Sequence, residues 1–323
     1  MEYVNFGTAG VKVSRIALGM GLREQYSAEE AERLVRHAID SGVNFIDCAN
    51  RYGLGDDRVK LKGTAEQILG RAIKTRRDEV VITSKVTGAT GGGPNDLGAS
   101  RIHIMREVER SLARMQTDRI DIYLLHGWDS TTPLEETIRA FDDLVTQGKV
   151  LYAGCCNYSA WQVCKALWTA DRLGADPFIC VQNEYSLLRR NLESEMFGLV
   201  RDQGLGAMAY SPLRAGLLSG TYTPGEPPPP GSLWETRPDE DYHSALPPSA
   251  APLMAALRSI ASERGVSVVQ VAMSWVLAHP EITVAISGSD TVERLDDNLA
   301  ALEWEMTREE RLSLDEASSA VAG

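Results

Sequence analysis

Eight short apolar runs, each followed by a longer amphipathic stretch, impose the strongest constraint on how this chain folds. They begin near Arg15 (RIALG), Asn44 (NFIDCA), Val80 (VVITSK), Ile120 (IDIYLLH), Leu151 (LYAGCC), Pro177 (PFICVQ), Gly206 (GAMAYS) and Thr283 (TVAIS). Near-continuous apolar runs of this length read as strands buried on both faces, the condition of a parallel sheet covered by helices. The intervening stretches carry helical spacing. In SAEEAERLVRHAIDSG, residues Ala31, Leu34, Val35, Ala38 and Ile39 share a face between a Ser start and a Gly stop. In ASRIHIMREVERSLARM the same role falls to Met105, Val108, Leu112 and Met115. Eight such units predict a closed (β/α)8 barrel, with residues 1–323 as one domain. An open doubly wound sheet is disfavoured because no G-x-G-x-x-G follows the first run.

Three segments stand outside the repeat. YVNFGTAGVKVS, before the first barrel strand, reads as a hairpin turning at Gly7 and Gly10 and placed to plug the N-terminal end of the barrel. TGATGGGPNDLGAS follows Lys85, and the Pro-rich TYTPGEPPPPGSLWETRPDEDYHSALPPSA follows Gly220. A loop as long as the second is functional or a linker. Since amphipathic stretches resume at Pro252 and another strand at Thr283, it is expected to lie over the barrel mouth.

With 33 basic against 45 acidic residues, a net charge of -12, the chain has no general attraction for nucleic acid or an anionic membrane. Any phosphate must therefore be held by a local site. The N-terminal MEYVNFGTAGVKVSRIALGM lacks the pattern of a signal peptide, and no window approaches a spanning helix, so a cytoplasmic protein is expected. Cys48, Cys155, Cys156, Cys164 and Cys180 are odd in number without C-x-x-C spacing, which argues for reduced, packed thiols and against a metal site. A small-molecule substrate fits these features, as does an oligomer; a nucleic-acid or membrane partner does not.

In a barrel of this type, chemistry collects where the strands end. The ends here are Asp47, Lys85, His126, Cys156 with Asn157, Gln182, Tyr210 with Ser211, and Ser287. Polar groups closing apolar runs are costly in a core and sensible at a mouth. Tyr52, five residues past Asp47, is a candidate proton donor, yet an isolated phenol with a pKa of ~10 is a poor one. A neighbouring ammonium stabilises the tyrosinate and draws that pKa toward the working range, a role for Lys85. Asp47 then keeps the ammonium charged, and His126 is placed to bond a substrate oxygen. Taken singly, each has an ordinary structural explanation as a satisfied His, a paired Lys or a wall Tyr. Four such groups on three successive strands argue for a shared role.

The motifs NFIDCANRYG, VVITSKV, GGGPNDLGASRIHIMREVERSLARMQTDRIDIYLLHGWD, GKVLYAGCCNYS, VQNEYSLLRR, AYSPLRAGLLSG and SWVLAHPEITVAISGSDTVERLDDNL together resemble the aldo-keto reductases over nearly the whole chain. The run around PLEETIRAFDDLVTQGKV looks most like a bacterial branch related to aryl-alcohol dehydrogenases. The resemblance implies reduction of an aldehyde or ketone by a nicotinamide dinucleotide, with Asp47, Tyr52, Lys85 and His126 as catalytic tetrad. It places Asn157 and Gln182 on the nicotinamide amide and Tyr210 against the ring. Cys156 stands where the family usually has Ser. Ser211, Leu213 and RAGLLSG match the segment around the pyrophosphate; Gly288, Ser289, Arg294 and Asn298 match the segment holding the adenosine ribose and its 2′-phosphate. On Arg294 the expected cofactor is NADPH, with NADH the alternative. Asp290, where many relatives carry a basic residue, speaks for NADH; it is expected to face solvent, one helical turn from Arg294 and within reach of pairing with it. Tyr26, Trp128 and Trp234 are candidate pocket aromatics. Two rival functions are a Schiff-base lyase using Lys85 and a non-catalytic sensor, since members of this fold class serve as potassium-channel β subunits.

Overall fold

The computed structural model describes residues 1–55 and 63–321. A hairpin comes first, with β1 (Tyr3–Asn5) antiparallel to β2 (Lys12–Ser14) and Val4 opposite Val13. Eight strands then close into an all-parallel barrel: β3 (Ile16–Gly19), β4 (Phe45–Asp47), β5 (Val81–Val86), β6 (Ile120–Leu125), β7 (Val150–Cys156), β8 (Phe178–Glu184), β9 (Gly206–Tyr210) and β10 (Val284–Ser287). Closure is made by β10, which pairs Ile286 with Ala17 of β3 and Val284 with Met208 of β9. All eight apolar runs are barrel strands.

Helices α1 (Ala28–Asp40), α2 (Thr64–Ala72), α3 (Arg101–Met115), α4 (Leu134–Thr146), α5 (Ala160–Leu173) and α6 (Met196–Gln203) each follow one strand. In α1 the apolar stripe Ala31, Leu34, Val35, Ala38 and Ile39 is the buried face, and the Ser27 side chain accepts from the Glu30 N–H as an N-cap.

Strand parity divides the core in two, because successive side chains point to opposite faces. Ile46, Ile82, Tyr123, Leu125 and Cys155 face the helices, while Phe45, Ile122, Leu124, Cys156, Cys180 and Met208 fill the barrel interior. Phe6 and Val13 of the hairpin region join the interior set, with the Phe6 ring edge-on to Phe45 at 5.3 Å between centroids. The hairpin is therefore a plug, as its sequence predicts. Gly206 makes room for it: a Cβ there would lie 2.8 Å from the Phe6 ring.

The Pro-rich segment after Gly220 does cover the mouth, with Pro229, Pro230, Gly231, Ser232 and Leu233 lining the cavity beneath it. It also holds a short helix, α7 (Asp239–Ala245), which the sequence pattern does not predict. Pro238 followed by three acidic residues in the first turn was the available signal. Helices α8 (Ala251–Arg264) and α9 (Val268–Leu277) lead back to β10, and α10 (Val292–Leu299) and α11 (Arg308–Ser318) finish the chain. Among the described residues no helix is long and apolar enough to cross a membrane.

Candidate active site

A cavity of about 780 Å³ opens at the carboxyl ends of the strands, within the usual range for small-molecule and cofactor sites. Asp47, Tyr52, His126 and Gln182 line one part of it; Gly288, Ser289, Asp290, Arg294 and Asn298 line another, at the end of β10.

Strand register assembles the first group. Asp47 closes β4 opposite Thr83 of β5, and Lys85, two residues on, points to the same barrel face as Thr83. The Lys85 ammonium is fully buried and donates to Asp47 Oδ2 at 2.7 Å and to the Cys48 carbonyl at 2.9 Å. It also lies 3.3 Å from the Tyr52 hydroxyl. His126 Nε2 is 3.5 Å from that hydroxyl, a long contact, with the two rings edge-on at 5.7 Å. Asp47 Oδ1 accepts from Thr83 Oγ1 at 2.6 Å and from Gln182 Nε2 at 2.7 Å. A carboxylate and an ammonium can share this interior because each finds several polar partners.

Burial would depress the Lys85 pKa, but Asp47 and the other groups around it outweigh burial and hold the ammonium well above its ordinary value. Burial also pushes the Tyr52 phenol up, and the opposing pull of Lys85 does not cancel it. Lys85 draws the phenol down, as expected, but burial is the larger effect. Tyr52 keeps its proton at neutral pH, with the cation that would stabilise its anion already in contact. Cys156, inside the barrel, is raised by burial and stays a thiol.

Beyond the tetrad, Asn157 takes a positive φ of 59°, tolerated by Asn, and its amide is tied at both ends. Its Nδ2 donates to the His126 carbonyl at 2.8 Å, and its Oδ1 accepts from the Tyr210 hydroxyl at 2.8 Å. Ser211, Leu213, Ala215 and Gly216 also line the cavity. Here the non-glycine residues Ser211, Arg214 and Ala215 have φ of 53°, 50° and 51°. Such backbone is strained and persists where the surroundings enforce it, frequently at ligand sites.

At the β10 end, buried Asn298 donates from Nδ2 to Ser287 Oγ at 2.7 Å and Ser289 Oγ at 2.9 Å. Thr291 caps α10 by accepting from the Arg294 N–H. Two expectations are corrected. Asp290 does not face solvent: it is 6% exposed, and burial raises its pKa to about 6. Arg294 pairs with Glu24, from the segment after β3, and not with Asp290.

None of the three candidate pocket aromatics lines the cavity. Tyr26 is 77% exposed over Gly55. The Trp128 ring packs edge-on against Tyr158 and Trp161. Trp234 is buried, donating from Nε1 to the Ala215 carbonyl at 3.0 Å, and so clips the long loop down. Sequence reasoning missed Thr83 and Glu24. Thr83 shares the parity of Lys85, which was a usable signal; nothing in the pattern points to Glu24.

The family profile of the Aldo/keto reductase family matches residues 6–319. The chain belongs to the aldo/keto reductase family. It is 36% identical over 317 residues to a Bacillus subtilis protein named uncharacterized oxidoreductase YrpG, covering 96% of this chain and 93% of that protein. Probable voltage-gated potassium channel β subunits of Oryza sativa and Arabidopsis thaliana are 34% and 33% identical, each over 94% of this chain and 92% of the relative. This family member is thus an oxidoreductase by kinship. Among the described residues no His, Cys, Asp and Glu cluster could hold a metal ion.

Proposed function

We propose that this family member reduces an aldehyde or ketone to an alcohol, with Tyr52 as general acid. The observation that carries this reading is the Tyr52 hydroxyl within 3.3 Å of a fully buried ammonium and 3.5 Å of His126, at the wall of a cavity. In this reading a carbonyl oxygen sits between Tyr52 and His126, polarised by the imidazole. Tyr52 gives up its proton as negative charge builds on that oxygen, and Lys85, kept charged by Asp47, stabilises the phenolate left behind. Lys85 is thereby occupied. A Schiff base needs a neutral amine, and the Asp47 carboxylate at 2.7 Å opposes one.

A nicotinamide dinucleotide, when bound, supplies the hydride. The residues present fit such a group. Asn157 and Gln182 carry amides at the tetrad, and Tyr210 offers a ring beside them. The strained turn at Ser211 to Gly216 is of the kind whose concave backbone holds a phosphate. Gly288, Ser289, Arg294 and Asn298 are left for the adenosine end, where Arg294 speaks for NADPH with NADH the alternative. Free and mostly buried thiols suit a cytoplasmic setting. The names of the two plant relatives favour a second reading, a channel-associated subunit, and co-purification with a membrane protein would support it.

Tyr52→Phe tests the main reading. Carbonyl reduction followed by loss of reduced-nicotinamide absorbance should fall ~10²–10⁴-fold, the usual contribution of general acid catalysis, with dinucleotide binding retained. Near-wild-type turnover in this variant overturns the assignment.

A further inference from the structure

Among the described residues two carboxylates outside the tetrad are fully buried, Glu66 of α2 and Glu107 of α3. Glu66 accepts from Ser84 Oγ at 2.6 Å and from Arg114 Nε. Ser84 lies in the middle of β5, paired with Tyr123 of β6, so the barrel ladder already fixes what Glu66 holds. Glu107 bonds differently. One of its oxygens accepts from Asn50 Nδ2 at 3.1 Å; the other accepts from Thr90 Oγ1 at 3.1 Å and from Arg110 Nη1 at 2.7 Å. Asn50 belongs to the turn after β4 and Thr90 to the segment after β5. A single side chain of α3 therefore ties together the two stretches of chain that leave the strands bearing Asp47 and Lys85. Its neighbours Ile104, Val108 and Leu112 on the buried face of α3 are apolar, and a leucine in its place would bury without the cost of desolvating a charge.

We infer, resting on the reading of Tyr52 as general acid, that Glu107 is a positioning residue: through Asn50 it fixes the turn that carries Tyr52. The start of that turn is held by the barrel, with the Cys48 N–H donating to the Thr83 carbonyl and the Cys48 carbonyl accepting from Lys85 Nζ, both at 2.9 Å. Further on the backbone is held less firmly. The Asn50 N–H meets the Lys85 carbonyl at a long 3.4 Å, and the Tyr52 N–H turns back to Ala49 of the same turn. The Asn50 side chain, 1% exposed, supplies a link of ordinary length to a carboxylate on a helix, an acceptor stronger than a neutral one. The Tyr52 hydroxyl stands 3.3 Å from the Lys85 ammonium and 3.5 Å from His126 Nε2, both at the long end of the hydrogen-bond range, so a small shift of the turn breaks both contacts. Proton transfer needs the donor within hydrogen-bond reach of the carbonyl oxygen and its cation alongside. Glu107 thus acts on the reaction through Tyr52 without touching substrate.

The test compares kcat, KM and dinucleotide binding across variants of the full-length protein, with 4-nitrobenzaldehyde and reduced dinucleotide as substrates. Glu107→Leu and Asn50→Ala should each lower kcat roughly 10–10²-fold, the scale on which a misplaced catalytic group costs rate, with KM and Kd for the dinucleotide unchanged. Glu107→Gln keeps an acceptor for Asn50 and should recover most of the kcat that Glu107→Leu loses. Glu66→Leu removes an equally buried carboxylate and should leave kcat near the wild-type value, whatever it does to stability. In a Tyr52→Phe background Glu107→Leu should cost nothing further, because no proton donor remains to be placed. Wild-type kcat in folded Glu107→Leu or Asn50→Ala overturns the inference, as do equal losses of kcat in Glu66→Leu and Glu107→Leu, or full additivity with Tyr52→Phe. Should Glu107→Leu not fold, Asn50→Ala breaks the same bond from its other side and decides alone. Near-wild-type turnover in Tyr52→Phe overturns the general-acid reading and this inference with it, whereas an inactive Tyr52→Phe beside a fully active Glu107→Leu removes this inference only.

Discussion

The two ends of the cavity bury charge in opposite ways. At the tetrad, Lys85 and Asp47 are buried as a pair, and five hydrogen-bond contacts from Thr83, Gln182, Cys48, Tyr52 and each other satisfy them. At the β10 end, Asp290 is buried with one backbone donor and no paired cation among the described residues. The first arrangement is self-sufficient and preorganised, which suits groups that must hold a proton and a charge before substrate arrives. The second leaves one carboxylate oxygen buried without a partner, a cost that the rest of the fold offsets. Both cost stability, but only the second should be improved by deleting its charge.

The largest effect that tests this contrast comes from breaking the pair. Lys85→Met leaves Asp47 buried without its cation and should cost about 3–5 kcal/mol in urea unfolding, besides abolishing most turnover. Asp47→Asn combined with Lys85→Met should cost clearly less than the two single changes added together. Additive losses would show that the two groups are stabilised separately. Residual turnover in Lys85→Met should also show its controlling pKa moved upward, since the variant removes a buried positive charge that pulls the Tyr52 phenol down. An unmoved inflection would leave Lys85 a positioning residue.

At the other end the sign reverses. The folded-state pKa of Asp290, about 6, lies above the ~3.9 of an unfolded Asp, so between these values the folded state binds more protons and stability falls as pH rises. Asp290→Asn should therefore match the wild type near pH 4 and become the more stable protein above pH 6, by at most about 3 kcal/mol. Melting temperatures of both proteins across pH 4–7 measure the gap. A variant less stable than wild type at pH 7 would mean that Asp290 is better satisfied than its surroundings indicate.

The contrast also explains what could be read from the sequence. Asp47, Thr83 and Lys85 are placed by short-range rules: a polar residue ending an apolar run marks a strand end, and parity sets which side chains share the barrel interior. Their meeting needs only adjacent strands in register, Asp47 opposite Thr83. Asp290 follows a strand end too, but that position alone does not say whether it is buried. Its burial depends on the segment at Glu24 and Gln25, 265 and more positions away, which donates to its carboxylate and to its carbonyl. No periodicity encodes that contact. The aromatics fail for a similar reason: a Trp in a loop has polar and apolar uses, and Trp128 found Tyr158 and Trp161 on neighbouring elements instead of the cavity. The hairpin plug was legible because its turn glycines, Gly7 and Gly10, are a local signal; the helix inside the long loop was lost among the prolines around it.

A hydrogen bond on the self-sufficient side gives a smaller effect. Thr83→Val keeps the shape of the side chain and removes its bond to Asp47 Oδ1, so about 1.5–3 kcal/mol of stability should be lost, as for a bond to a charged acceptor. The pH profile of turnover should stay in place, because Lys85 still pairs with Asp47. A shift of that profile would make Thr83 part of the proton-handling group.

The smallest expected effect concerns the loop above both ends. Trp234 was a candidate for the substrate wall, and its place in the structure makes it a clip instead. Its indole N–H holds the Ala215 carbonyl, and its ring meets the Arg237 guanidinium at 4.5 Å and Tyr242 at 6.1 Å. Trp234→Phe removes the single hydrogen bond and keeps an aromatic ring, a change worth about 0.5–1.5 kcal/mol. That amount falls on a surface segment whose opening is local, so the global melting temperature should hardly move while protease cleavage within 221–238 accelerates several-fold. Ala215 belongs to the strained turn that lines the cavity, so loosening the clip should also speed dinucleotide release. Relative kcat/KM values across small and bulky aldehydes should keep their order, because no atom of the substrate wall has changed. A reordering of substrates would restore Trp234 to that wall and would mean that the loop closes differently when the site is filled.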